Sequence, residues 1–194
     1  MSPNVDTRPT VLIVEDEPDV ADAHALKLRD RYETRVAYGG KEALEQFGDD
    51  IDAVLLDRRM PGLHGDEVLE RIRDRGFDGP VIMTTAVDPD LNILEMDFDD
   101  YLCKPILSDT LATTLEQHIE SRNVADPQLE EFFRIVSKLD VLESKLSASE
   151  LERSDEYQSL KHRAEELGSE LDDSVNDFGE LVSTYQDINR GSTS

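Results

Sequence analysis

The sequence predicts an α/β fold followed by an all-helical segment. Three observations predict it. Between residues 10 and 120, short apolar runs alternate with amphipathic stretches. Beyond Asn123 no strand signal remains, and apolar residues recur only at steps of three and four. The 194 residues contain a single cysteine, Cys103, so neither an internal disulfide nor a cysteine-based zinc site organises the chain. Strands alternating with helices form a parallel sheet covered on both faces, whereas a 3.6-residue period without strands gives amphipathic helices.

The elements follow in order. TVLIV (10–14) is a buried strand, and Pro18–Arg31 a helix with proline in its first turn. TRVAY (34–38) is the second strand and Gly40–Phe47 a short helix. AVLLD (53–57) is the third strand and Leu63–Arg75 the next helix. PVIMTT (80–85) is the fourth strand, followed by a short helix over Asp88–Met96. DYLCK (100–104) closes the strands, with Cys103 as a small buried hydrophobe, and Leu107–Ser121 is the last helix of this part.

Two stripes occupy the remainder. Leu129, Phe132, Val136, Leu139, Leu142 and Leu146 form one; Leu160, Ala164, Leu167, Leu171, Val175, Phe178, Val182 and Tyr185 form the other. Between them Ser147–Glu150 and Ser149–Glu152 both fit a Ser-x-x-Glu capping box, where a helix can restart. Neither helix can bury its stripe alone. The stripes therefore imply a hairpin, a coiled coil between copies, or packing on a partner. The expected divisions are a tail at 1–9, an α/β domain at 10–122, a helical module at 123–190 and a frayed tail at 191–194.

Composition narrows the function. There are 45 acids against 20 bases, for a formal charge of −25. This excess argues against nonspecific binding to nucleic acid or anionic membranes, which needs clustered Lys and Arg. Apolar runs stop at four residues, too short to span a bilayer, and MSPNVDTRP lacks the basic-then-apolar pattern of a signal peptide. The expected location is the cytoplasm. The bases are 14 Arg and 6 Lys. Such charge repels itself in dilute buffer but is screened within roughly 3 Å at about 1 M salt, which fits a salt-loving cytoplasm.

In an open parallel sheet, ligands bind outside the carboxyl ends of the strands. Those ends carry Glu15-Asp16-Glu17, Asp57, Thr84-Thr85-Ala86 and Lys104-Pro105. Crowded carboxylates call for a cation, and oxygen ligands with room for water suit Mg²⁺. An aspartate beside Mg²⁺ can attack phosphorus to give an aspartyl phosphate, with a lysine and a hydroxyl to hold the transferring group. Each piece alone is an ordinary acid, threonine or lysine; their placement on four strand ends carries the argument.

VLIVEDEP, VLLDRRMPGLHG, TTA and DYLCKP together resemble the receiver domain of two-component response regulators, over about residues 10–121. The resemblance implies a flavodoxin-like five-stranded sheet of order 2-1-3-4-5. It implies Asp57 as phosphoacceptor, charged by a sensor histidine kinase. Glu15, Asp16, Asp57 and the backbone carbonyl of Arg59 would hold Mg²⁺. Thr85 and Lys104 would bind the phosphoryl group, the Lys104–Pro105 bond would be cis, and Tyr101 would be the switch aromatic, moving inward with Thr85. Two features depart from the usual pattern. Met96-Asp97-Phe98-Asp99-Asp100 stands where a small residue and glycine usually precede Asp-Asp-Tyr, with Asp97 expected to keep the left-handed helix end. Residues 88–103 carry no Lys or Arg, which puts in doubt the salt-bridged dimer of winged-helix regulators. Arg59 and Val87, two residues beyond Asp57 and Thr85, could shield the phosphoryl group and prolong its life.

Through QLEEFFRIVSKLDVLESKLSASELE and the following YQSLKHRAEELGSELDDSVNDF, residues 122–190 resemble the HalX domain, an acidic helical module that follows receivers in halophilic archaea. The predicted function is a phosphorelay response regulator signalling through a helical interaction module, either as a hairpin or as a homodimer. A DNA-binding transcription regulator is the alternative, although no helix-turn-helix or basic recognition helix is present. His162 lacks the context of a phosphotransfer histidine and reads as an exposed helix residue; His24, His64 and His118 form no ligand pair. A phosphatase-like enzyme is the third reading, but Asp57-Arg58-Arg59 lacks the second acid of an Asp-x-Asp motif. No enzyme activity beyond self-phosphorylation and its reversal is expected.

Overall fold

A computed structural model of the protein describes residues 8–124, 126–174, 178–180 and 182–183. Five strands, β1 (Thr10–Val14), β2 (Glu33–Ala37), β3 (Ala53–Leu56), β4 (Val81–Thr85) and β5 (Asp100–Cys103), form one sheet in the order β2-β1-β3-β4-β5. β1 runs parallel to β2 and β3, and β3 parallel to β4, with Val14 in register with both Ala37 and Leu56. Helices α1 (Pro18–Leu28), α2 (Gly40–Gln46) and α3 (Gly65–Asp74) connect the first strands. α4 (Ser108–Val124), α5 (Pro127–Lys145), α6 (Ala148–Leu151) and α7 (Asp155–Ser174) follow β5. The chain divides into two compact units, residues 1–84 and 85–194.

In the first unit, β1 and β3 are apolar along almost their whole length and buried on both sides, as parallel strands must be. α1 stops at Leu28 rather than Arg31. The amides of Arg31 and Tyr32 both turn back onto the Leu28 carbonyl, at 3.0 and 2.9 Å, which lets Tyr32 reach the core.

In the second unit, the helix expected over Asp88–Met96 is a single 3₁₀ turn, Leu91–Glu95. Pro89 disfavours helical geometry at Asp88. The Asp90 carboxylate then accepts from the Asn92 amide at 3.1 Å and starts a tighter turn. Lys138 of α5 takes the carbonyls of Leu94 and Met96, at the end where a longer helix would need them. The turn ends on Met96 in extended conformation (φ −79°, ψ 140°), with the Met96 amide donating to the Ile93 carbonyl.

The helices after residue 126 belong to this second unit and bury their stripes within it. Phe132, Ile135, Leu139 and Leu142 of α5 meet Ala164, Leu167 and Leu171 of α7 as an antiparallel hairpin. Ile135 is the buried residue where the spacing placed Val136, which is only half-buried. Arg163 grips Glu131 through two hydrogen bonds of 2.9 and 3.0 Å, and Phe132 packs edge-on against Phe178 at 5.2 Å between centroids. Ser147 and Glu150 form the expected capping box at α6. Ser149–Glu152, the other candidate, caps no helix start, since Ser149 lies within α6 and Glu152 ends it; at the head of α7, Ser154 accepts from the Tyr157 amide. Val175, Tyr185 and the tail at 191–194 lie outside the described residues. Among the described residues, no helix is long and apolar enough to cross a membrane.

Candidate functional site

The carboxyl ends of β1 and β3 build the first cluster. The Asp57 amide donates to the Val14 carbonyl at 2.9 Å, so the residues leaving the two strands emerge side by side. Glu15, Asp16 and Asp57 each offer a carboxylate oxygen, and these lie within 4.8 Å of one another. Glu15 and Asp57 are buried and Asp16 is half-buried. Three carboxylates this close repel strongly in a poorly solvated site, so the donor set fits a hard divalent cation with oxygen ligands such as Mg²⁺.

The turn after Asp57 is shaped for that cluster. Gly62 has φ +79°, which favours glycine, and Gly65 packs so closely that a Cβ there would lie 2.2 Å from the Asp57 carbonyl oxygen. The Gly65 amide donates to the Arg58 carbonyl at 2.9 Å, closing the loop over Met60-Pro61-Gly62. Asp57 Oδ1 accepts from the Arg59 amide at 3.3 Å, and the Arg59 side chain is exposed. Arg58 is the buried arginine, held by Asp66 at 3.1 Å.

In the second unit, Thr85 is fully buried at the end of β4. Its Oγ1 accepts from the Val87 amide at 3.2 Å, and its carbonyl accepts from the Lys104 amide at 2.8 Å. Lys104 is half-buried, and the Lys104–Pro105 bond is cis, as the resemblance implied. Tyr101 is buried, with its hydroxyl donating to the Val87 carbonyl at 3.1 Å. Cys103 is half-exposed rather than buried, because it closes β5 at the surface; partial burial still pushes its thiol up. His162 is exposed beside Glu166, as a solvated helix residue should be.

Sequence reasoning missed a further group. Asp100 is 2% exposed and accepts from Ser137 Oγ at 2.5 Å and the Tyr101 amide at 2.8 Å, and it pairs with His118 Nε2 at 3.0 Å. Burial alone would lower the His118 pKa. The hydrogen bond and charge of Asp100, with the charge of Asp99, outweigh that and raise it. Burial alone would raise Asp100, but His118, Ser137 and the Tyr101 amide hold it below the usual carboxylate range. Three acids of 88–99 find bases on α5: Arg134 meets Asp97 and Asp99 at 3.1 and 3.2 Å, and Lys145 meets Asp88 at 3.1 Å. The signal was present in the absence of Lys and Arg from 88–103 and in Arg134, Lys138 and Lys145, spaced by four and seven along one helix.

A parallel sheet of order 2-1-3-4-5 with acids clustered beyond β1 and β3 defines the receiver class of α/β proteins. The chain belongs to the response regulator receiver domain family, which matches residues 11–116, and the HalX domain matches residues 121–188. A putative transcriptional regulator of Haloferax volcanii is 41% identical over 161 residues, covering 82% of this chain and 27% of that protein. The chain thus spans about a quarter of that relative's length. The receiver domain of the Francisella response regulator 1452 is 30% identical with TM-score 0.54, covering 59% of this chain and 99% of that one. The Thermotoga maritima response regulator TrrA, solved in complex with Mg²⁺-BeF, is 33% identical with TM-score 0.50, covering 56% of this chain and 97% of that one.

Proposed function

We propose that the protein is a phosphorelay response regulator that takes a phosphoryl group on Asp57 from a sensor histidine kinase. The observation that carries this reading is the Glu15, Asp16 and Asp57 cluster, with carboxylate oxygens within 4.8 Å of one another. An Asp57 oxygen attacks phosphorus as the bond to the donor imidazole nitrogen breaks, and the imidazole leaves as the base that accepts a proton. Mg²⁺, when held by Asp16, Asp57 and the Arg59 carbonyl with Glu15 beside them, supplies positive charge to the phosphoryl oxygens. Lys104 and Thr85 are assigned to phosphoryl recognition from their positions at the ends of β5 and β4, and Tyr101 to the switch. The phosphorylated state shifts an existing equilibrium between inactive and active forms.

The domain boundary is proposed at residues 122–123, between the alternating α/β pattern and the two helical stripes. The cytoplasm is the proposed location, supported by the family and the acid excess. A salt-rich interior is supported by the same excess and by the HalX match. The protein turns over no separate metabolite in this reading, since Asp57-Arg58-Arg59 offers no second acid in Asp-x-Asp spacing. Its output is a protein partner engaged through the helical module. DNA is the second reading, favoured by the transcriptional regulator from Haloferax volcanii that it resembles.

Incubating the full chain with Mg²⁺ and a small phosphodonor tests the assignment. Wild type should take up one phosphoryl group and Asp57→Ala none. Equal uptake by the variant would overturn it. Mapping chromatin bound by wild type and Asp57→Ala in the host separates the two outputs: discrete sites that fade in the variant would favour DNA, and none above background a protein partner.

A further inference from the structure

The segment from Asp88 to Asp100 holds Asp88, Asp90, Glu95, Asp97, Asp99 and Asp100 and no base. Its cations come from one face of α5. Arg134 bridges Asp97 and Asp99, Lys145 reaches Asp88, and Lys138 is buried against the carbonyls of Leu94 and Met96. Two of the chain's six lysines are spent on this contact. Ser137, fully buried on the same helix face, donates to Asp100, which also holds His118 of α4. The helix is therefore keyed into β5 by a buried hydrogen-bonded group as well as by surface charge. This matters in molar salt, where exposed pairs are screened and a buried pair is not.

One line of contacts runs from that key to the switch residues. Lys138 Nζ sits 5.0 Å from the centroid of the Phe98 ring. The Phe98 ring, fully buried, packs against Tyr101 at 5.6 Å between centroids. The Tyr101 hydroxyl donates to the Val87 carbonyl, and the Val87 amide donates to Thr85 Oγ1. All these residues lie within the unit 85–194. Close-packed rings have no slack. An outward swing of Tyr101 would remove the surface that holds Phe98, and Phe98 is the surface that holds Lys138.

We propose that α5 is a built-in ligand of the 88–100 face, and that its seating is coupled to the Thr85–Tyr101 switch through Phe98 and Lys138, so that a phosphoryl group on Asp57 tightens it. The direction follows from α5 being seated while Tyr101 is buried. The inference rests on the phosphoacceptor reading above and adds the route by which the helical module senses it. Phe98, Lys138 and Ser137 are positioning residues, not catalytic ones.

Coupling between two sites is reciprocal, so the test can be read at either end. Beryllofluoride with Mg²⁺ serves as the phosphoryl mimic, and binding is titrated on the full chain in molar salt. Amide hydrogen exchange is followed over 94–101 and 134–141. Beryllofluoride should slow exchange in both segments of wild type. Lys138→Met and Ser137→Ala should speed exchange at α5 and bind beryllofluoride about fivefold or more weakly. Unchanged exchange in wild type, or variants that loosen α5 yet bind beryllofluoride as wild type does, would overturn the coupling. If Lys138→Met does not fold, Ser137→Ala and the wild-type exchange data decide alone. A wild type that binds no beryllofluoride overturns the phosphoacceptor reading itself, and the coupling with it.

Discussion

Replacing Asp100 by asparagine tests the buried joint between β5, α4 and α5. Asparagine keeps the shape and one acceptor oxygen, so the bonds from Tyr101 N and Ser137 Oγ can persist in weaker, neutral form. The pairing with His118 at 3.0 Å is lost, because the amide nitrogen faces the ring in place of a carboxylate. Removing one partner of a buried ion pair costs about 3–5 kcal/mol. His118 can relieve part of this by releasing its proton, which places the expected loss near the lower end, about 3 kcal/mol at about pH 6. The sign with pH follows from the raised His118 pKa. A histidine held above its ordinary value stabilises fully below about pH 6.5, and this contribution is lost as pH rises through the folded value. The gap between Asp100→Asn and wild type should therefore shrink to about 1 kcal/mol, a neutral hydrogen bond, once the pH has risen through the folded His118 value. Denaturant unfolding followed by far-ultraviolet circular dichroism measures both, in molar salt to suppress surface pairs. A gap below about 1 kcal/mol at the lower pH, or one that does not change with pH, would refute the reasoning.

Gly65→Ala places a Cβ 2.2 Å from the Asp57 carbonyl oxygen, so the strand end must move and the carboxylate cluster with it. Calorimetric Mg²⁺ titration should show affinity reduced by about tenfold or more, within the range for disturbed ligand support; an unchanged titration would contradict the role given to that contact. Burial pushes the Lys138 ammonium down to about 8, helped by Arg134 and resisted by Asp97 and Asp99. Since the folded state then binds the proton less well than the unfolded state, stability relative to Lys138→Met should rise between about pH 8 and pH 10.5. A flat difference across that window would count against the burial of a charged lysine. Arg59 stands two residues beyond Asp57 with an exposed side chain. If it screens the acyl phosphate from water, Arg59→Ala should shorten its half-life several-fold, and equal decay would remove the idea.

The acidic site was legible because it is local. Parallel strands buried on both faces announce themselves as apolar runs, and the residues that end such runs must cluster at one edge of the sheet. Glu15, Asp16 and Asp57 could therefore be grouped without coordinates, whereas the close approach of Gly65 to the Asp57 carbonyl shows only in the structure. The segment 88–100 was less legible. Its spacing suggested a helix, but Pro89, the Asp90 cap and the carbonyls taken by Lys138 leave one 3₁₀ turn. The last of these comes from a residue 42 positions away. Nothing near His118 in sequence foretells Asp100 eighteen residues earlier or Ser137 nineteen later. The two helical stripes bury apolar residues against each other in this chain. Here α5 and α7 pair as a hairpin, and the charged residues lie on the opposite face of α5. Apolar periodicity sets α5 against α7, and Arg134, Lys138 and Lys145 set it against the acids before β5.

The central claim is that Asp57 carries the phosphoryl group. Treating the phosphorylated chain with borohydride reduces an aspartyl phosphate to homoserine, and peptide mass mapping locates the converted residue. The account predicts conversion at Asp57 alone, dependent on Mg²⁺ and absent from unphosphorylated protein. Conversion at another aspartate, or a phosphoryl group found on a histidine such as His162, would contradict it.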